Sequence, residues 1–225
     1  MRAEGTRPLA LPARLLCAVL ILPAAPTGLP AQPSAAQEIP TCTSQVESRV
    51  AEERTRGMTC LVEVAWLVSV GARPKAPAGT VRRLMSVVSA HLDTVSPHQQ
   101  AEVLDGIDYV ADDAGTELLL RALEKPSVIV RRKASQVLLR TARGWFRAPE
   151  MPALLSSEPV FRASQDVDPE VRHASACVLA LVMWSTEDAL AGLSTPPSVG
   201  TARARALVSR IRNAVPAASR TDCIG

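Results

Sequence analysis

Apolar residues recur at intervals of three and four along most of the chain, which is typical of amphipathic helices. The clearest stripe follows Asp168 and Pro169, and its members are Val171, Ala174, Val178, Leu181 and Val182. Asp168 can cap the first helical turn, and Pro169 suits the first helical position because it has no N–H to leave unpaired. The pattern therefore predicts a helix over 168–184.

The same periodicity predicts further helices along the chain. They cover 44–57 (closed by Gly57), 59–70, 80–95, 96–112, 114–124, 127–143, 186–192 and a last stretch ending near Val215. Residues 59–70 are apolar almost all round, so we expect this helix in the core. Period-two alternation and hairpin dipeptides are absent from the sequence. The predicted fold class is all-α.

The stretch around 166–184 has a counterpart 41 residues earlier, at 125–143. The corresponding residues are Val130 and Val171, Arg131 and Arg172, and Ala134 and Ser175. A fainter copy lies at 79–95. A spacing of 41 residues falls within the period of roughly 40–47 residues that HEAT and armadillo repeats have.

These stretches resemble the second helix of a HEAT repeat, whose signature is an acidic turn, then Val-Arg, two residues and Ala. The acidic turn is supplied by Asp166 and Asp168. The resemblance implies an α-solenoid over 59–215, in which antiparallel helix pairs stack into a right-handed superhelix. It also implies that the second helices line a concave face, so the candidate binding residues are Arg132, Arg140 and His173. Arg131 and Arg172 are expected to be internal arginines that pair with turn carboxylates such as Asp166.

The N-terminus has the layout of a secretory signal peptide. Arg2, Arg7 and Arg14 precede the apolar run 15–22, and small residues and prolines follow. A run of eight apolar residues is too short for a membrane span, which needs about 20. The expected divisions are a signal peptide at 1–36, a polar segment at 37–58, the repeat domain at 59–215 and a tail at 216–225. Cleavage after Ala31 or Ala36 would fit, and an ordinary hydrophobic helix is the alternative.

Charge is distributed unevenly along the chain. Without residues 1–36, 22 basic and 21 acidic residues remain, so the total is nearly neutral. Residues 37–117 carry seven basic and 12 acidic residues, whereas residues 118–225 carry 15 and nine. A near-neutral total argues against general nucleic-acid binding, which requires a net basic surface. An acidic stripe of Glu102, Asp105, Asp108 and Asp112 would share one helix face, as a solvated surface, as a docking face for a basic partner, or as internal partners of Arg132 and Arg140.

Four cysteines remain after the predicted cleavage, namely Cys42, Cys60, Cys177 and Cys223. An even number in an exported protein indicates disulfides, and free buried thiols are the alternative. Cys177–Cys223 is favoured because the tail can fold back. Cys42 and Cys60 would lie roughly 20 Å apart across one straight helix at about 1.5 Å per residue. Since a disulfide needs Cα atoms within about 7 Å, either that helix is shorter or the pairing differs.

Motifs for catalysis, metal ligation or cofactor binding do not occur in the sequence. The leading hypothesis is a monomeric, non-enzymatic scaffold, exported to a bacterial periplasm or beyond, that binds a protein or peptide without a cofactor or metal. One alternative is a HEAT-like DNA glycosylase, in which Arg131, Arg132, Lys133 and Arg140 would hold phosphates. The other is a purely structural module of an envelope complex.

Overall fold

A computed structural model of the chain describes residues 35–72, 76–110, 113–146, 153–192, 199–215 and 220–224. The chain divides into two units, Met1–Gln32 and Pro33–Gly225. The first unit, and with it nearly all of the predicted signal peptide, lies outside the described residues. Within the described ranges all regular structure is helical, which confirms the all-α class.

The described helices are α1 (Ala35–Val46), α2 (Ala51–Ser69), α3 (Thr80–His91), α4 (Pro97–Asp105), α5 (Asp113–Leu123), α6 (Val128–Trp145), α7 (Glu158–Ala163), α8 (Pro169–Ala191), α9 (Val199–Ala214) and α10 (Arg220–Ile224). Short 3₁₀ turns cover Leu92–Thr94, Gly106–Tyr109 and Ala153–Ser156.

The helices pack in two rows. In one row, α2, α4, α6 and α8 contact one another in succession, and in the other α3 contacts α5 and α5 contacts α7. Contacts between the rows join α2 to α3, α6 to α5, and α8 to α7, and α1 packs on α2. The apolar stripes that the sequence revealed therefore meet between the rows, where they form a continuous buried core.

Helix α8 is the most enclosed element of this core. It packs against α6, α7, α9 and α10, and its residues from Cys177 to Trp184 are all buried. Asp168 caps it as predicted, because its carboxylate accepts hydrogen bonds from the backbone N–H groups of Glu170 and Val171. The predicted break before 186–192 is wrong. One helix continues to Ala191, since no glycine or proline interrupts it there.

The predicted boundary between the first two helices is also wrong. The chain turns at 47–50, and Gly57 lies inside α2. A Cβ at Gly57 would come within 2.5 Å of the Val46 nitrogen and 2.8 Å of the Cys42 oxygen. Glycine is therefore required here because the backbones of α1 and α2 touch. The polar and apolar segments at 37–58 and 59–215 do not separate at a helix end.

Two further sequence interpretations fail in the middle of the chain. The stretch at 79–95 forms α3, which packs in the row of α5 and α7, so it does not correspond to α6 and α8. A Val-Arg pair can begin an amphipathic helix in either row, and the sequence alone does not distinguish them. The acidic stripe at 102–112 is interrupted because α4 ends at Asp105 and a 3₁₀ turn follows. Asp112 lies outside the described residues.

Candidate functional site

The outer surface of α2, α4, α6 and α8, here called the even-helix face, carries most of the candidate residues. The exposed residues of α4 are Pro97 at its start and then His98, Glu102 and Asp105, and these last three are spaced to share one face. That face lies between α2 and α6, because Gly106 abuts Val62 on one side and Asp105 bonds to α6 on the other. Exposed residues on the neighbouring helices include Glu52, Arg56 and Glu63 of α2, Gln136, Arg140 and Arg143 of α6, and His173 of α8.

The fourth residue of each helix in this row makes the same contact. Its side chain donates a hydrogen bond to the backbone carbonyl five residues earlier, in the turn that precedes the helix. The bonds run from Arg54 to Arg49 O at 2.9 Å, from Gln100 to Val95 O at 3.0 Å, from Arg131 to Pro126 O at 2.8 Å and from Arg172 to Val167 O at 3.3 Å. All three arginines also bond the carbonyl six residues earlier. These side chains satisfy turn carbonyls that would otherwise lack a protein partner.

The sequence singled out Arg131 and Arg172, but as internal arginines that pair with turn carboxylates, and it missed Arg54 and Gln100. The spacings from Arg54 to Gln100, Arg131 and Arg172 are uneven, so a search at a fixed period does not find them. The signal that remains is local, namely a long polar side chain at the fourth position of a helix. Ser96 and Pro97 mark that position for Gln100, because Ser96 forms a capping box with Gln99.

Polar contacts also join each turn of the row to the next. Arg54 donates to the carbonyl oxygen of Thr94 at 2.7 Å. The next link is the ion pair of Lys125 with Asp93 at 2.5 Å. In the last, Arg131 donates from Nε and a terminal nitrogen to the two carboxylate oxygens of Asp166, at 2.8 and 3.2 Å. The ends of α2, α4, α6 and α8 are therefore fixed relative to one another by side chains.

The pair formed by Arg131 and Asp166 is largely buried, with side-chain exposures of 15% and 13%. Burial disfavours the charged form of Asp166. The hydrogen bonds from Arg131 and from the Asp168 backbone outweigh that cost and lower the pKa of the carboxyl. The expected pairing of Arg131 with a turn carboxylate is present. Arg172, in contrast, bonds only backbone oxygens of its own turn in the contacts described.

Arg132, a predicted binding residue, faces the same turn. Its Nε and a terminal nitrogen donate to Asp168, the shorter bond measuring 2.6 Å, and it pairs with Glu170 at 3.2 Å. The hydrogen bond from Arg132, helped by the helix N–H groups that Asp168 caps, lowers the pKa of that carboxyl to about 2. Arg132 therefore supports the cap of α8, and its side chain is 41% exposed.

Arg140, the second predicted binding residue, and Lys133 both contact Asp105 of α4. Lys133 Nζ lies 3.0 Å and an Arg140 nitrogen 2.9 Å from the same Asp105 oxygen. The hydrogen bond from Arg140, with that from Lys133, lowers the pKa of Asp105. The basic face expected on α6 is thus joined to the acidic face of α4. By contrast, Glu63 and Glu102 have no ion pair with any residue that the structure describes.

His173, the third predicted binding residue, is exposed near the start of α8. Its Nε2 lies 3.9 Å from the sulfur of Cys177, which forms a disulfide with Cys223 as the sequence favoured. The second disulfide joins Cys42 to Cys60, with Cα atoms 5.7 Å apart. The turn at 47–50 makes this pairing possible, since it places the two cysteines on adjacent helices and not at opposite ends of one. Two disulfides fit an oxidising compartment.

The described residues contain no group of three or more His, Cys, Asp or Glu side chains that could hold a metal ion. By length and composition, α8 is the one described helix that could cross a membrane, but 56% of its most apolar window is buried. The core helix of a soluble protein passes the same test. No family model and no curated protein matches the sequence.

Proposed function

We propose that this chain is a non-enzymatic scaffold of the HEAT-like solenoid kind, which is exported and binds a protein or peptide on the even-helix face. The observation that carries the proposal is the successive packing of α2, α4, α6 and α8, each held to its preceding turn by its fourth residue. Rows of this kind present a continuous, rigid surface that can contact an extended partner along several helices.

Ion pairs within this face limit which of its charges a partner could contact freely. Arg132 and Arg140 belong to internal ion pairs, so a partner would have to compete with Asp168 and Asp105 for them. Binding through these arginines would then be charge-dependent and weak at high salt. Gln136 lies between the two arginines on α6, His173 lies on α8, and the exposure of both leaves them available for contact.

The same ion pairs weigh against the nucleic-acid alternative. Phosphate binding would draw on Arg131, Arg132, Lys133 and Arg140, and each of these bonds an aspartate within the protein. Internal carboxylates at these distances cancel much of the field that would attract a phosphate backbone. A fluorescent duplex at about 0.05 M salt is therefore expected not to bind, and submicromolar binding would favour the glycosylase alternative.

A photo-crosslinking residue distinguishes a binding scaffold from a purely structural module. Gln136 on α6 and Ser86 on α3 are both neutral and exposed, and they lie on helices of different rows. In native cells we expect a crosslinked adduct of defined mass from position 136 and none from position 86. Equal adducts from both positions, or none from position 136, would contradict binding on the even-helix face.

Export is tested separately by the N-terminus of the native protein. We expect mass spectrometry to find it near Gln32 or Gln37, after the two predicted cleavage points. An intact Met1 in the soluble cytoplasm would contradict export.

A further inference from the structure

Helix α10 covers one end of the even-helix face. It packs on α8, its Cys223 is fully buried, and the disulfide brings the Cα atoms of Cys177 and Cys223 within 5.0 Å. From α6, the Nε of Arg143 donates to the carbonyl oxygen of Cys223 at 2.7 Å. The last described segment of the chain thus occupies a position on α8 beside α6, where it hides the surface around Cys177.

The two disulfides differ in what else holds their cysteines together. Cys42 and Cys60 lie on α1 and α2, which are 12 and 19 residues long and touch through their backbones at Gly57. If that bond is reduced, packing keeps the two thiols close and favours its return. Helix α10 has five residues, too few to be stable alone. Once its disulfide is reduced, the effective concentration of Cys223 at Cys177 falls as α10 detaches.

A histidine beside one sulfur adds a kinetic difference. The imidazole Nε2 of His173 lies 3.9 Å from Cys177 Sγ. A protonated imidazole stabilises an adjacent thiolate, and a stabilised thiolate is a better leaving group in disulfide exchange. Among the described contacts, neither sulfur of the Cys42–Cys60 pair has such a neighbour.

We propose that α10 is a reducible latch, which occupies a docking position for a short helix on α8 and leaves it when a dithiol reduces Cys177–Cys223. Because Cys223 is fully buried, α10 must first lift from α8; one thiolate of the dithiol then attacks Cys223 Sγ, and Cys177 leaves as a thiolate beside His173. The second thiol of the reductant then displaces Cys223, so the dithiol becomes a disulfide. Two electrons pass to the protein, and its two new thiols take up the protons that the dithiol released. The freed surface adjoins the face that the proposed function assigns to a partner, but the latch can be tested without one.

The test uses the oxidised full chain and graded dithiothreitol. Alkylation followed by mass spectrometry of the cysteine peptides measures the reduced fraction of each pair. We expect half-reduction of Cys177–Cys223 at a dithiol concentration at least about tenfold lower than that for Cys42–Cys60. In the same samples, amide exchange in 220–224 should become fast as that pair opens. Equal or reversed concentrations, or continued protection of 220–224 after reduction, would overturn the latch.

The part played by His173 has its own control. His173→Gln should slow the opening of Cys177–Cys223 about threefold or more and should raise the half-reduction concentration of that pair, since a histidine that stabilises the Cys177 thiolate stabilises the reduced state as well as the leaving group. His98→Gln changes an exposed histidine on α4 and should leave the rate unaltered. Equal rates in the wild type and the His173 variant would show that His173 takes no part in the reduction. The latch would then be judged by the half-reduction concentrations of the first experiment.

Discussion

The contact of α1 with α2 and that of α6 with α8 achieve close helix packing by opposite means. At the first contact, Gly57 has no side chain, so the backbones of α1 and α2 can touch. At the second, charged side chains meet, because Arg131 and Arg132 reach Asp166 and Asp168 in the turn before α8. The first junction depends on shape, and the second depends on charge as well.

This difference determines which conditions should disturb each end of the protein. Arg54, which holds the turn before α2, bonds three backbone carbonyls, and these acceptors do not titrate. Its counterpart Arg131 bonds two backbone carbonyls and a carboxylate. Acid should therefore weaken the α6–α8 junction and leave the junction at α2 intact, while a single added methyl group should do the reverse.

The largest effect is expected from Gly57→Ala. The new Cβ would meet backbone atoms of α1, which cannot move aside as a flexible side chain can. We expect a loss of about 3 kcal/mol or more in the free energy of unfolding, measured with urea. Gly144→Ala in α6 is the control, because its Cβ would meet nothing within 4 Å. That change should gain about 0.5–1 kcal/mol. Similar losses at both positions would show that backbone contact at Gly57 is not the cause.

The next largest effect concerns the charged junction. Asp166→Asn removes the charge that Arg131 faces and should cost about 2 kcal/mol at pH 7. The pKa values of Asp166 and Asp168 are lowered in the folded protein. Their contribution is therefore complete above the unfolded value of about 4 and is lost as pH falls through the folded pKa, which for Asp168 is about 2.

Urea titrations between pH 5 and pH 2 check this sign. The wild type should lose stability steadily as pH falls from about 4 to about 2, and the double variant Asp166→Asn, Asp168→Asn should lose clearly less. Arg54→Gln should lower stability equally across this range, since its acceptors are carbonyls. A pH dependence that is the same in the wild type and the double variant would place the acid sensitivity elsewhere.

A smaller effect is expected from replacing either of two buried serines, one in α6 and one in α8. Ser175 Oγ in α8 is buried without a hydrogen-bond partner among the described residues. Ser135 Oγ in α6 donates to the carbonyl oxygen of Arg132 at 2.9 Å. Ser175→Ala should therefore stabilise the protein by about 1 kcal/mol, while Ser135→Ala should be neutral or cost up to about 1 kcal/mol. Thermal unfolding of both variants compares them directly, and a destabilised Ser175→Ala would reveal an unrecognised partner for that hydroxyl.

The smallest effect is expected from Arg140→Gln on the even-helix face. The side chains of Arg140 and Asp105 are 41% and 51% exposed, and Lys133 remains beside Asp105. Solvent screening should limit the loss to less than about 1 kcal/mol, and about 0.5 M salt should remove most of it. A loss of unfolding free energy as large as that of Asp166→Asn would mean that the exposed pair of Arg140 and Asp105 is a main stabiliser of the contact between α4 and α6.

The sequence by itself determined the features whose causes are local. It predicted the all-α class, the cap and start of α8, and most other helices within a few residues, because capping and apolar periodicity act within one or two turns. It favoured Cys177–Cys223, since a tail can reach any nearby surface. The resemblance to a HEAT helix also led to Arg131 and its aspartate.

The tertiary structure decided what depends on contacts between distant segments. Gly57 reads locally as a helix end, and only the approach of α1 reveals why a glycine stands inside α2. The sequence left open whether Arg132 and Arg140 are free or pair with the acidic stripe; the fold brings Asp105 of that stripe to Arg140, and it brings Asp168, from outside the stripe, to Arg132. Pairing across 30 or more residues leaves no mark on local composition or periodicity. The charge of a face is therefore settled by packing, whereas the helices that build it are settled by the sequence.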